Sequence, residues 1–243
     1  MKIVLEYPDI LHKGNDMNFS DQILSFYNHL NITATLPEGV EILRPYKDQQ
    51  AVTLCEQFFQ KYYADNTKRF LILGINPGRH GGGITGIPFT DPLKLEQYCG
   101  IQNTFAKKTE LSADFIYTMI NAYGGSEKFY NQFYISAVSP LGFTKDGKNL
   151  NYYDIKELQD GLKDFIVQCL MKQLEFGIDR TVCFCLGEGE NYKYLNRLNS
   201  ELKIFETIVP LPHPRFIMQY RRKEVQYFVD LYIEKLGGNT NLQ

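Results

Sequence analysis

The sequence predicts an α/β fold of three layers, α/β/α, around a central, mostly parallel four-stranded sheet. Four short apolar runs carry this: residues 70–75, 133–138, 181–186 and 205–209. The run at 70–75 has the length and unbroken apolar character of a strand buried on both faces, and the other three read as further strands. Stretches of helical period lie between them, and strands that alternate with helices form parallel sheets covered on both sides. Each run also ends abruptly, in Asn76-Pro77-Gly78, in Ser139-Pro140-Leu141, in Gly187, or in Pro210-Leu211-Pro212-His213-Pro214. Right-handed crossovers bring those ends to one edge of the sheet, where open α/β sheets bind ligands. Asn76, residues 136–139, Gly187, Glu188 and His213 fall there.

Taken in order, residues 1–48 are the least regular. Residues 20–30 form a short amphipathic helix with Ile23, Leu24, Phe26 and Tyr27 inward and Ser20 or Asp21 as cap. Leu36-Pro37-Glu38-Gly39 is a turn, and Arg44-Pro45 an extended step. Residues 49–64 place Val52, Leu54, Cys55, Phe58, Phe59 and Tyr62 at helical spacing before the first strand. Another short helix begins at Asp91, with Pro92 in its first turn. Residues 112–123 are helical and closed by Gly124-Gly125. One long helix spans 154–176 and stops at Gly177; residues 190–198 form a shorter one. A last helix runs over 217–236 with Val225, Phe228, Val229, Tyr232 and Leu236 inward.

No linker divides the 243 residues, so a single domain, 1–243, is expected. Residues 1–48 are its N-terminal extension, packed on the core, and 237–243 a flexible tail. The net charge of −2 excludes nucleic-acid binding through bulk charge and leaves that task to a local patch. The five cysteines (Cys55, Cys99, Cys169, Cys183, Cys185) form no Cys-x-x-Cys pair and have no histidine at metal-ligand spacing; they read as buried thiols. No metal or cofactor is expected. Residues 1–6 are charged too early for a signal peptide, and no apolar run spans a membrane. A cytoplasmic monomer is expected.

Several loud patterns carry little. Gly81-x-Gly83-x-x-Gly86 fits the dinucleotide expression, yet Pro88 and Pro92 follow where a helix N-terminus is required. No Lys-Ser/Thr completes a Walker loop, and no Gly-x-Ser-x-Gly elbow is present. His213 is the strongest single residue, because prolines on both sides fix the direction of its imidazole. Asn76, held by the turn that ends the first strand, faces the same edge. Phe89, after Gly86-Ile87-Pro88, adds an aromatic platform suited to a flat heterocycle. In Arg215-Phe216 and Arg221-Arg222-Lys223, cations sit in the first turns of the last helix, where the dipole disfavours them unless they meet an anion such as phosphate. The apolar tip Phe216-Ile217-Met218 is of a kind that wedges into a base stack.

These residues resemble the uracil-DNA glycosylase superfamily, in its single-strand-selective monofunctional branch. Gly74-Ile75-Asn76-Pro77-Gly78, a glycine loop, and Thr85-Gly86-Ile87-Pro88-Phe89 match the first motif. His213-Pro214-Arg215 matches a shortened second motif. The resemblance covers residues 65–235. It implies a uracil-DNA glycosylase-like fold and hydrolysis of the N-glycosidic bond of uracil or a related deaminated base in DNA, with base flipping and no strand cleavage. Asn76 would position water and His213 would hydrogen-bond the leaving base. Gly74, Ile75, Pro77, Gly78, Phe89, Ser136 and Ser139 would surround the base. Arg79, His80, Arg215, Phe216, Arg221 and Arg222 would meet DNA. The family's base-reading Asn is replaced by Ala137, with Ser136 or Ser139 as substitutes. A binding protein on the same fold, or an enzyme of small nucleosides or sugar phosphates, are the competing readings.

Overall fold

The computed structural model describes residues 17–240; residues 1–16, with His12, and 241–243 lie outside the described residues. The first helix, α1 (Phe19–Asn28), begins one residue earlier than expected. Its cap is Asn18, whose side chain takes the Asp21 amide while Asp21 returns a bond to the Asn18 amide, a reciprocal capping box. Phe19, Ile23, Phe26 and Tyr27 are buried. The chain then makes the expected turn at Gly39 and forms a strand that the sequence reading missed, β1 (Val40–Leu43). Arg44-Pro45 leads into a single 3-10 turn, Pro45–Lys47, rather than an extended step. Helix α2 (Gln49–Tyr63) follows, capped by Asp48.

The central sheet begins with β2 (Arg69–Gly74), buried at all six positions. The other strands are β3 (Phe133–Ala137), β6 (Ile178–Leu186) and β7 (Thr207–Leu211). Their order is β3-β2-β6-β7, and every pairing is parallel. Between β2 and β3 lie α3 (Gly82–Thr85), α4 (Pro92–Cys99), α5 (Leu111–Tyr123) and α6 (Ser126–Gln132). The fold is the expected three-layer α/β/α arrangement with a four-stranded parallel sheet.

Between β3 and β6 the chain departs from the sequence reading. Strands β4 (Gly142–Lys145) and β5 (Lys148–Leu150) make a hairpin that adds to β1 as a second, antiparallel sheet in the order β1-β4-β5. Its turn is Asp146-Gly147, with φ of +51° and +66°. Positive φ at both central residues is what a two-residue hairpin turn requires, and Asp-Gly is a strong sequence signal for it. The single helix expected over 154–176 is two, α7 (Lys156–Gly161) and α8 (Lys163–Leu174), divided at Leu162, whose backbone (φ −89°, ψ −6°) departs from regular helical values. Helix α9 (Glu190–Leu202) covers β6. The last expected helix is also divided: α10 (Pro214–Tyr220), a 3-10 turn at Arg222–Glu224, then α11 (Val225–Thr240), which continues past Leu236.

Beneath α1 and α2 the core is aromatic. Tyr134 of β3 packs among Phe19, Tyr63 and Phe176, and its hydroxyl donates to that of Tyr27. Arg69 is fully buried there. Its Nε donates to the Tyr130 carbonyl, Nη2 to Tyr62 O and Asp65, and Nη1 to Thr67 O and Asp65. The guanidinium lies 4.8 Å from the ring centres of both Phe19 and Tyr63. A buried cation is tolerated when its donors are all used and its charge is paired, and both conditions hold. The site joins α1, α2, α6 and the start of β2. Arg69→Ala is expected to cost about 3 kcal/mol or more, from orphaned carbonyls at about 1–3 kcal/mol each plus the cavity left behind. A lowered urea midpoint would show it; an unchanged midpoint would refute this account.

Candidate active site

At the carboxyl edge of the parallel sheet is a cavity of about 380 Å³. Its floor is decided at Gly74, the last residue of β2. A Cβ built there would lie 2.6 Å from the Phe89 ring, inside any allowed contact, so the ring rests directly on bare backbone. Phe89 itself has φ +53°, a left-handed conformation that costs a non-glycine residue about 1 kcal/mol or more. The loop holds it there. Buried Thr85 donates to the Thr90 carbonyl at 2.6 Å and accepts from the Ile87 amide at 3.1 Å, and the Thr90 hydroxyl meets that of Tyr117 at 3.0 Å.

Asn76 enters the wall from the turn after β2. Its Oδ1 accepts the Tyr152 amide at 3.0 Å, and its Nδ2 donates to the Leu150 carbonyl at 3.2 Å. The missed hairpin therefore fixes this carboxamide. Behind it, the Tyr152 hydroxyl donates to Asn191 Oδ1 at 3.0 Å, and Asn191 Nδ2 reaches the carbonyls of Leu186 and Gly74. Asn191 thus links the ends of β2 and β6 to the segment that orients Asn76. The hairpin and the residues after it also bring Asn149, Asn151 and Tyr153 to the cavity. None of these was picked out from the sequence; the Asp146-Gly147 turn signals the hairpin but not its part in the site.

His213 stands on the opposite wall, as the residue that caps α10. Its Nδ1 accepts the Arg215 amide at 3.1 Å. With Nδ1 an acceptor, the neutral ring carries its proton on Nε2. The ring is partly exposed to the cavity but enclosed by protein, and that burial, with Arg215 beside it, pulls its pKa down to about 4. Imidazole and Phe89 ring centres are 6.2 Å apart. Pro212 before it is tied down by the Tyr232 hydroxyl of α11. At the mouth, Phe216 (44% exposed) and Tyr220 (66%) form an apolar lip with Gln219.

Of the sequence-chosen residues, Ile75, Asn76, Pro77, Gly78, Phe89, Ser136, His213, Arg215 and Phe216 line this cavity, and Gly74 lies under Phe89. Others are placed elsewhere. Ser136 borders the cavity but shares the sheet face of Tyr134, and its hydroxyl is buried beside the tyrosines. Ser139 spends its hydroxyl on the Leu141 carbonyl at 2.8 Å and does not reach the cavity. Arg79 turns away to the Gly147 carbonyl of the hairpin, and His80 lies outside the lining. Arg221 and Arg222 are not in the first turn of α10 or α11. They follow the end of α10, where the dipole favours cations, and Arg221 approaches Glu224 at 3.6 Å. Glu110 and Ser112, at the start of α5, are cavity residues that the sequence reading passed over.

Among the described residues, no three His, Cys, Asp or Glu side chains gather as a metal site, and no helix is long and apolar enough to cross a membrane. The five cysteines are free and buried.

Fold and cleft together define an α/β/α protein with an open cavity at the carboxyl edge of its sheet, where α/β sheets place their ligand sites. Residues 60–237, well over half of the chain, match the family model for the uracil DNA glycosylase superfamily, and the chain belongs to that superfamily. It is similar to wild-type SMUG2 of Pedobacter heparinus, a crystal structure, at 47% identity and a TM-score of 0.91. That match covers 93% of this chain and 99% of the other. No curated protein sequence matches it.

Two outcomes are expected. Gly74→Ala should push the Phe89 ring off the strand and cost about 1–3 kcal/mol, as overpacking does; a crystal structure with the ring unmoved would contradict this. In an NMR titration, His213 should hold the Nε2–H tautomer and protonate near 4 rather than 6.5. The unfolded chain then binds that proton first, so this contribution to stability is present above about 6.5 and is lost as pH falls toward 4. A midpoint at the ordinary value would remove the argument for a neutral ring.

Proposed function

We propose that this chain is a monofunctional DNA glycosylase, a hydrolase of N-glycosyl bonds that releases uracil or a related deaminated base and leaves an abasic site for base excision repair. One observation supports this above the others: an aromatic floor, an imidazole N–H donor and a fixed carboxamide converge on one cavity open to solvent. A base cannot react at its sugar bond while stacked in a duplex, so it must be flipped out at a cost of a few kcal/mol. Stacking on Phe89, worth about 1–3 kcal/mol, offsets much of that.

The leaving group decides the chemistry. As the C1′–N bond breaks, the electron pair passes to the base, and a deaminated base spreads it over its ring and carbonyl oxygens. The sugar develops oxocarbenium character. His213, neutral at pH 7, offers its Nε2–H to the carbonyl oxygen where charge gathers, the role of an oxyanion-hole donor. Asn76, held by Leu150 and Tyr152, has a lone pair left on Oδ1 with which to orient water. Arg215, with Arg79 and His80 on the glycine loop, would meet phosphates, and Phe216 would fill the gap in the stack. The enzyme would act as a monomer in the cytoplasm, on the nucleoid if the source is bacterial.

Ala137 takes the position from which a side-chain amide would read the base, so selectivity must come from other groups on the cavity wall. The test is a release assay over oligonucleotides carrying uracil, hypoxanthine, xanthine and oxidised pyrimidines, single- and double-stranded. Free base and an intact abasic strand are expected. Salt-sensitive DNA binding with no base released would instead make the chain a binding protein. Replacing His213 with Ala should lower the single-turnover rate about 10²–10³-fold, as loss of one oxyanion donor does. Asn76→Ala should lower it about 10²-fold through misplaced water. Full activity in both folded variants would end this assignment.

A further inference from the structure

The cavity holds a carboxyl group that the reaction as outlined leaves idle. Glu110 precedes the first turn of α5 and lines the cavity together with Asn76. Its backbone amide is anchored by Asp91 at 2.9 Å, but among the described residues its side chain accepts no hydrogen bond and joins no ion pair. Its room comes from the glycine loop. A Cβ at Gly81 would lie 1.8 Å from Oε2, and one at Gly78 would lie 2.4 Å from Oε1. Any other residue at those positions would displace the carboxyl group.

Asn76 cannot accept a proton, and both ends of its amide are engaged by backbone. Water that attacks an oxocarbenium-like carbon must still lose a proton. We propose that Glu110 is a further catalytic residue, the general base that takes this proton while Asn76 holds the water. The inference rests on the glycosylase reading. The step balances: the C1′–N bond breaks with its electron pair on the base, the water oxygen bonds to C1′, and one water proton moves to the Glu110 carboxylate. The base anion then takes that proton, or one from solvent, and the carboxylate is regenerated.

The surroundings suit this task. Burial, then Asp91, push Glu110 up to about 7; Arg215 opposes them and Asp114, itself paired with Lys94, adds a little. A base near the working pH accepts a proton more readily than an ordinary carboxylate. Two other groups on the cavity wall lie far from that value, His213 at about 4 and Tyr153 at about 12. His80, on the glycine loop beside Arg79 and Lys108, is shifted below 6.5.

The experiment is single-turnover base release from a uracil-containing oligonucleotide, across pH, for wild type, Glu110→Gln, Glu110→Asp and Gly81→Ala, with circular dichroism and DNA affinity measured alongside. Wild type should gain rate about tenfold per pH unit below the Glu110 midpoint and level off above it. Glu110→Gln should be slower by about 10²-fold or more and lose that rise, with DNA affinity kept. Glu110→Asp should regain part of both. Gly81→Ala, which leaves the acid in place but moves it, should behave like Glu110→Gln, and it serves as the test if Glu110→Gln does not fold. A Glu110→Gln enzyme with wild-type rate, or one that is slow yet keeps the wild-type pH rise, overturns the proposal. Wild type that releases no base overturns the glycosylase reading and this inference with it.

Discussion

The cleft depends on a side chain that is missing. Gly74 ends a strand buried on both faces, and without a Cβ it lets the Phe89 ring lie against the sheet itself. The ring becomes part of the rigid core, although it belongs to a loop. The loop accepts a left-handed residue to put it there, and Thr85 and Thr90 hold that strain with buried hydrogen bonds. A strained conformation persists only where its surroundings over-determine it. The reward is a platform whose height relative to the strand ends is set by van der Waals contact.

Around that floor, each polar group is oriented from behind. Asn191 and Tyr152 support the segment that fixes Asn76, and the Arg215 amide fixes the tautomer of His213. These bonds are individually modest, about 0.5–1.5 kcal/mol each. Their value lies in preorganisation: a donor already aimed at the place where charge will develop needs no rearrangement during the reaction. The glycine loop does the opposite for Glu110, giving space and no partner, which keeps a carboxyl group available and raises its basicity.

The parts of the fold that were legible in the sequence rest on local periodicity. The strands at 70–75 and 181–186 had no competing interpretation, because a buried parallel strand needs an unbroken apolar run. Helices α2 and α5 were legible for the same reason. The second sheet was not, since strands of four, four and three residues carry too little pattern. Its one clear signal, Asp146-Gly147, lay between polar residues and was passed over. The division of the long helices at Leu162 and Arg221 was also hidden: the apolar period continues across Leu162, and the charged run 221–224 carries no glycine or proline to mark a helix end.

For the cleft, the sequence by itself determined the two residues with unusual local restraint: an Asn inside an Asn-Pro-Gly turn and a His between prolines, each at a strand end. Parallel strand polarity then obliged them to share an edge. What only the tertiary structure decided is what else shares it. Glu110, Asn149 and Tyr153 come from segments whose local sequence says nothing of a site, Ser136 borders it with its hydroxyl buried because side chains alternate along a strand, and Ser139 leaves it because its hydroxyl takes the nearest carbonyl. A restraint on one residue's backbone is written in its neighbours; a contact between distant segments depends on how whole layers pack, which no single stretch of sequence contains.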